Sequence, residues 1–160
     1  MRSEQDVNRA IELYADTVKR ICFLHLKNYH DTQDIFQKVF LKYLTYDGQF
    51  ESESHRKAWF IRVTVNACKD WLRDYYRKNA LSIEEAVNEY ASSDNGSREV
   101  ISAVLSLEPK YKNVVYLFYF EGYSVGEISK MLQKKENTVY SLLSRAREKL
   151  KKELGGEDFE

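Results

Sequence analysis

Proline, glycine and cysteine are scarce in this chain of 160 residues, which contains one proline, six glycines and two cysteines. Because helix breakers and alternating β-branched runs are few, the sequence favours an all-α fold. The two cysteines, Cys22 and Cys68, lie within helical patterns and have no close cysteine or histidine at metal-ligand spacing. They are interpreted as buried, reduced thiols, and neither a metal nor another cofactor is predicted.

Long apolar runs and catalytic patterns are also missing from the sequence. No run approaches the roughly 18 apolar residues of a membrane-spanning helix, and the first residues do not resemble a signal peptide. We therefore expect no stable membrane insertion and a cytoplasmic location. The sequence has no carboxylate cluster, metal spacing or nucleophile–base pair, so the chain is not expected to be an enzyme.

The formal net charge of zero conceals an alternation of charge along the chain. Basic residues predominate in residues 55–78 and 130–152, whereas acidic residues predominate in residues 81–108. Local fields therefore matter more than the sum, and the two basic stretches indicate surfaces suited to nucleic acid. The acidic stretch includes Ser-Ser-Asp-Asn-Gly at residues 92–96, a composition typical of a domain boundary.

Apolar periodicity and turn residues divide the chain into two small helical domains. The predicted division is a helical bundle over residues 1–79, a flexible acidic linker over 80–96, a second helical domain over 97–155 and a tail over 156–160. Helices in the first domain are expected near residues 4–29, 31–44 and 55–79.

The second predicted helix has apolar residues on more than one face. Either Phe36 and Tyr43 remain available for a partner, or the helix is wholly internal. The third helix interleaves aromatic with basic side chains, as a single-stranded nucleic acid site requires, because bases stack on rings at about 1–3 kcal/mol each while Lys and Arg follow phosphates. The alternative is that its rings are buried and its charges are solvated.

The C-terminal stretch has the pattern of two helices joined by a short turn. Ser124 and Glu127 predict a capping box at the start of the first helix, and Asn137 is predicted to cap the second. Small hydroxyls followed by arginines on the outer face of the second helix suit a helix lying in a DNA major groove. The alternative is an amphipathic hairpin with a solvated basic face.

Three segments, taken in order, resemble the sigma-70 family of bacterial transcription factors, in its extracytoplasmic-function (ECF) group. They are DTQDIFQKVFLKYL at residues 31–44, AWFIRVTVNACKDWLRDYYRK at residues 58–78, and SLEPKYKNVVYLFYFEGYSVGEISKML followed by ENTVYSLLSRAREKL within residues 106–150. The resemblance implies a sigma region 2 helical bundle and a region 4 helix-turn-helix. In the turn, Gln133 and Lys134 stand where the family usually has a glycine and an apolar residue.

The resemblance also implies a function and partners. Such a factor binds core RNA polymerase through the β′ clamp helices and the β flap, recognises the −35 and −10 elements of promoter DNA, and promotes promoter melting. A controlling anti-sigma factor is a further implied partner. The alternative is a stand-alone helix-turn-helix regulator that acts on duplex DNA without polymerase.

Individual roles follow from matching residues to the family motifs. The residues matched to −10 contacts are Phe50, Trp59, Arg62, Asn66, Lys69 and Arg73. Those matched to −35 contacts are Thr138, Tyr140, Ser141, Ser144, Arg145 and Arg147. Those matched to core polymerase contacts are Asp34, Ile35, Gln37 and Phe40. Within the first set, Phe50 and Asn66 would form a pocket for a base flipped out of the −10 element.

Overall fold

The computed structural model describes residues 1–26, 29–79 and 98–155. The chain divides into two compact units, Met1–Asn79 and Ala80–Glu160. Every regular element in the described residues is helical, which confirms the all-α prediction. The predicted linker and tail lie outside the described residues.

Three helices form the first unit, and each packs against the other two. They are α1 (Glu4–His25), α2 (Tyr29–Thr45) and α3 (Glu53–Asn79). Ser3 begins α1 as an N-cap, because its hydroxyl accepts a hydrogen bond from the Asp6 amide at 3.1 Å. The helix ends at His25 rather than at the predicted Tyr29, because Leu26 adopts an extended conformation with φ −108° and ψ 150°.

The core of the first unit is centred on Phe60 of α3, which is fully buried. Its ring centroid lies 4.9 Å from that of Tyr14 on α1, and 5.1 and 4.9 Å from those of Phe40 and Tyr43 on α2. Since buried aromatic side chains each remove about 150–250 Å² from water, this cluster contributes strongly to holding the three helices together.

The two cysteines also meet in this core. Cys22 and Cys68 are both free thiols and fully buried, as predicted. A hydrogen bond with Cys22, together with burial, raises the pKa of the Cys68 thiol well above its ordinary value. Because the thiolate is the reactive form, these side chains act as small apolar core residues.

The second unit consists of short helices packed around one long C-terminal helix. They are α4 (Arg98–Leu105), α5 (Pro109–Val115), a π-helical turn (Tyr116–Phe120), α6 (Val125–Leu132) and α7 (Glu136–Glu153). Pro109 lies in the first turn of α5, where its missing amide has no helical partner to lose. Buried side chains from α6, α7 and the π-helical turn form the core, including Leu117, Ile128, Leu143 and Leu150.

The helix-turn-helix begins as predicted but its second helix does not. The Ser124 hydroxyl accepts from the Glu127 amide at 3.1 Å, and the Glu127 carboxylate accepts from the Ser124 amide at 2.9 Å, which completes the capping box. The predicted N-cap at Asn137 is wrong, because α7 already begins at Glu136 with Lys135 as its cap residue.

The turn explains this shift. Gln133 ends α6 in the left-handed conformation, with φ 56° and ψ 46°. The Lys134 amide then donates to the Ser129 carbonyl at 3.0 Å, and the Ser129 hydroxyl donates to the Lys134 carbonyl. Gln133 thus adopts the backbone conformation that glycine usually supplies, and the next helix begins only three residues later.

Candidate nucleic-acid and partner interfaces

One face of α3 carries the predicted polar contacts as a continuous stripe. Arg62, Asn66, Lys69 and Arg73 are spaced at i, i+4, i+7 and i+11, so they share one side of the helix over about 16 Å. Arg62 is half-buried and the other three are exposed. Arg73 lies 3.6 Å from the Asp70 carboxylate, an exposed pair that DNA phosphates can displace at little loss.

Phe50 lies in the loop between α2 and α3, within a cluster of rings. It is half-buried, and its ring centroid is 5.8 Å from that of Tyr46, 5.9 Å from that of Trp59 and 5.3 Å from that of His55. Trp59 lies one turn before Arg62 on α3, so the spacing places this cluster at the N-terminal end of the polar stripe.

Trp59 itself requires a correction. Its side chain is only 6% exposed and is surrounded by the rings of Tyr43, Tyr46, Phe50 and Phe60, at centroid distances between 5.0 and 5.9 Å. A ring enclosed in this way has no free face on which a base could stack. Trp59 therefore acts as a core residue that packs against Phe50.

Tyr43 is also internal, which excludes its availability to a partner. Its side chain is fully buried. Its hydroxyl donates a hydrogen bond to the Asp6 carboxylate at 2.7 Å and accepts one from Arg56. Burial, followed by the hydrogen bond to Asp6, raises the pKa of Tyr43. The phenol therefore stays protonated and acts as a fixed donor within the first unit.

The outer face of α2 differs from the predicted polymerase contact set. Asp34 and Gln37 are exposed, but Ile35 and Phe40 are 1% and 6% exposed. Phe40 packs on Phe36 and Phe60, with ring centroids 4.7 and 5.1 Å apart. Ile35 and Phe40 therefore hold α2 in place as core residues, and a polymerase contact by Phe40 stays a prediction.

Leu41 is the residue on this face that the sequence interpretation missed. It is 60% exposed and lies at i+7 from Asp34 and i+4 from Gln37, with the exposed Lys38 between them. The helical spacing from Asp34 was the available signal. We call the set Asp34, Gln37, Lys38 and Leu41 the α2 face.

The second helix of the helix-turn-helix presents most of its predicted −35 residues to solvent. The exposed ones are Thr138, Tyr140, Ser141, Ser144 and Arg145. Helical spacing places Ser141, Ser144 and Arg145 together on one side, opposite the buried stripe of α7. Small hydroxyls beside an arginine allow close approach to base edges and a bidentate contact with guanine.

Arg147 is placed differently from the other predicted −35 residues. It is half-buried, and its Nε donates to the Tyr119 hydroxyl at 2.7 Å. Its guanidinium lies 5.7 Å from the ring centroids of both Phe118 and Tyr119. These contacts hold Arg147 against the π-helical turn, so it joins α7 to that segment.

The described residues contain neither a metal-binding cluster nor a membrane-spanning helix. No group of three or more histidine, cysteine, aspartate or glutamate side chains there is arranged to hold a metal ion. None of the helices in residues 1–26, 29–79 and 98–155 is both long and apolar enough to span a membrane.

Comparison with known protein families finds two matches, one in each unit. The family model described as "Sigma-70 region 2" matches residues 10–78, and the one described as "Sigma-70, region 4" matches residues 97–150. The first range contains α2 and all but the last residue of α3, and the second contains α6 and most of α7. Together the two ranges cover most of the chain.

Individual proteins give the same result. The ECF RNA polymerase sigma factor SigW of Bacillus subtilis (strain 168) is 26% identical over 161 residues, which cover 90% of this chain and 86% of SigW. SigX of the same organism is 22% identical, over 94% of this chain and 84% of SigX. The sigma factor RpoE from Bartonella quintana, solved in complex with the anti-sigma factor NepR, shares the fold with a TM-score of 0.71 at 18% identity, covering 94% of this chain and 98% of that one. With a region 2 unit followed by a region 4 unit and ECF factors among its relatives, the chain belongs to the sigma-70 family, in its ECF group.

Proposed function

We propose that this chain is a transcription initiation factor that brings core RNA polymerase to promoters with −35 and −10 elements and promotes their melting. One observation carries the proposal: a single chain combines a region 2 unit that has a polar, cationic stripe with a region 4 unit that has an exposed groove-facing helix. The two surfaces suit different forms of DNA, a separated strand and an intact duplex.

The −10 element is contacted by the first unit. Arg62, Lys69 and Arg73 follow the phosphates of one strand along α3, and Asn66 offers an amide to a base edge. Phe50 receives a base that has left the stack. Unstacking costs a few kcal/mol, which a ring and an amide held in fixed positions can offset.

The −35 element is contacted by α7 of the second unit. Ser141 and Ser144 allow the helix to approach the base edges, and Arg145 reads a guanine or a neighbouring phosphate. Near the start of the helix, Tyr140 faces the groove with them, and Thr138 contacts a phosphate at its border. Because α7 begins directly after a tight turn, its N-terminal residues are presented at a defined angle.

Polymerase is contacted through the α2 face, which carries one exposed apolar side chain between polar ones. In this proposal the α2 face binds the β′ clamp helices, the second unit binds the β flap, and the acidic segment 80–96 runs along a path otherwise used by nucleic acid. The factor works in the cytoplasm, where polymerase is located. An anti-sigma factor that covers the DNA-contacting faces is a further partner.

Run-off transcription with purified core enzyme tests the proposal. The templates are promoters recovered from the DNA bound when the factor is captured with polymerase in cells. We expect transcripts that begin at one position and require both the factor and its −35 and −10 sequences. A complete lack of promoter-specific transcripts would overturn the proposal.

A pair of leucine variants tests the polymerase contact in the same assay. Leu41→Glu places a charge on the α2 face, and Leu13→Glu does the same at an exposed leucine of α1 that is 46% exposed. We expect the first to lose binding to core enzyme and the second to keep it. Duplex binding without any affinity for core enzyme would instead identify a stand-alone regulator.

A further inference from the structure

Arg2 binds the C-terminal end of α2 and the loop that follows it. Its amide donates to the Leu44 carbonyl at 2.9 Å, and its Nε donates to the Tyr43 carbonyl at 3.2 Å. Its Nη2 donates to the Gly48 carbonyl at 2.7 Å. The last carbonyls of a helix have no partner within the helix, so the Arg2 amide and guanidinium together satisfy two of them, and the same guanidinium ties Gly48 of the following loop to the end of α2.

Asp6 connects this arginine to a second one. Arg2 Nη1 donates to Asp6 Oδ2 at 3.1 Å, and Arg56 Nη1 donates to Asp6 Oδ1 at 3.2 Å. Tyr43 donates to the same oxygen at 2.7 Å. Burial raises the pKa of Asp6, but the hydrogen bonds from Tyr43 and Arg2 outweigh this effect, so its pKa is lowered overall. A single carboxylate thus orients both guanidinium groups.

Phe50 lies close to both of these groups. The guanidinium carbons of Arg2 and Arg56 are each 5.2 Å from its ring centroid, within the range of a cation–π contact. Arg2 is also 4.4 Å from the ring centroid of Tyr43. The position of Phe50 therefore depends on two cations that Asp6 holds in place, one from before α1 and one from α3.

We propose that Arg2 is a positioning residue for base capture: it holds the 46–52 loop so that Phe50 keeps the place and orientation in which it receives the unstacked base. The inference rests on the proposed function for its final step, the entry of a base. Its first step, the ordering of the loop, concerns this chain alone. Asp6 acts in the same way through Arg2 and Arg56.

The first measurement is amide hydrogen exchange of residues 46–52 in the full chain, with any purification tag placed at the C-terminus. Arg2→Ala and Asp6→Asn are compared with Arg9→Ala, which removes an exposed arginine from α1. We expect faster exchange in the loop for the first two variants and wild-type exchange there for the third. Exchange in α3 should stay unchanged in all three variants. Unchanged loop exchange in Arg2→Ala would refute the proposal.

The second measurement is the rate of promoter opening with core enzyme, on templates that differ only at the captured base. We expect Arg2→Ala to open the preferred template about ten- to a hundredfold more slowly, because small misplacements of a binding group reduce rates by such factors. The ratio between the preferred and the other templates should also fall towards one. A reduced amount of folded protein would lower the opening rate equally on all templates and leave that ratio intact.

These measurements separate the two proposals. Faster loop exchange with slower, less selective opening supports the role of Arg2, provided that affinity for core enzyme is unchanged. Faster exchange with wild-type opening would overturn the link to base capture. A wild-type chain that opens no promoter would overturn the proposed function, and the loop-exchange result would then show by itself whether Arg2 orders the loop.

Discussion

Lys112 of α5 should make the stability of the second unit rise with pH. The residue is 7% exposed, and burial lowers the pKa of its ammonium group to about 8 from an ordinary value of 10.5. A base with a lowered pKa in the folded state is harder to charge there than in the unfolded chain. Below pH 8 the group is protonated in both states, so folding carries the full penalty.

The size of the penalty follows from the two pKa values. One pKa unit corresponds to about 1.4 kcal/mol, so the charged lysine destabilises the fold by roughly 3 kcal/mol at pH 7 and by under about 1 kcal/mol at pH 10. At pH values between the two pKa values, the unfolded state binds more protons than the folded state, so the free energy of unfolding increases with pH. Above about pH 10.5 the penalty is gone.

Urea unfolding of the full chain, followed by circular dichroism at pH 7 and pH 10, measures this effect. Lys112→Met keeps the apolar stem without the charge, so it should stabilise the protein at pH 7 by roughly 2–3 kcal/mol and much less at pH 10. Lys130→Met, at an exposed lysine of α6, is the matched control. Taking the difference between each variant and the wild type cancels the titration of tyrosines such as Tyr123, whose pKa is raised by burial. A stability difference for Lys112→Met that does not change between the two pH values would refute this reasoning.

Three further predictions concern the two DNA-contacting surfaces and the core. Asn66→Ala should leave affinity for core enzyme unchanged and slow promoter opening, as measured by permanganate reactivity of the −10 thymines. Opening at the wild-type rate would exclude Asn66 from the base pocket. Arg145→Ala should weaken binding to the −35 element by about 1–3 kcal/mol at one base position if it reads that base. A uniform loss over all sequences in a binding titration would instead make it a phosphate contact. Phe40→Ala should lower the free energy of unfolding by about 3–5 kcal/mol, because it removes a buried ring packed on Phe60. Unfolding at the wild-type urea concentration, together with lost polymerase affinity, would restore Phe40 to the contact surface.

The parts of the fold that the sequence predicted correctly depend on local chemistry. Ser124 and Glu127 are three residues apart and directly precede an apolar helical pattern, and a capping box needs only these neighbouring residues. Asn137 failed as an N-cap for a reason that lies elsewhere in the chain. Gln133 adopts a left-handed conformation that would not be predicted for a glutamine, and this conformation sets where the next helix begins.

The residues that the sequence misplaced belong to helices with apolar side chains on several faces. In α2, periodicity could not decide which of Phe36, Phe40, Leu41 and Tyr43 would be covered, because that choice depends on where α1 and α3 pack. Phe40 and Tyr43 became core and Leu41 stayed exposed. The role of Arg2 could not be found in this way either, since its partners at Tyr43 and Gly48 are more than forty positions away in the chain.

Arg145 and Arg147 show how a charge pattern overstates a binding surface. They are two residues apart on α7, which corresponds to about 200° around the helix, so they cannot both face the same groove. Arg145 is exposed, whereas Arg147 donates to Tyr119 and lies beside two rings. We therefore expect the basic stretch 130–152 to make fewer phosphate contacts than its composition suggests, and the salt dependence of −35 binding to be correspondingly shallow. Replacing Arg147 would loosen α7 from the π-helical turn, so its effect on DNA binding would come through the orientation of the helix and would accompany a loss of stability.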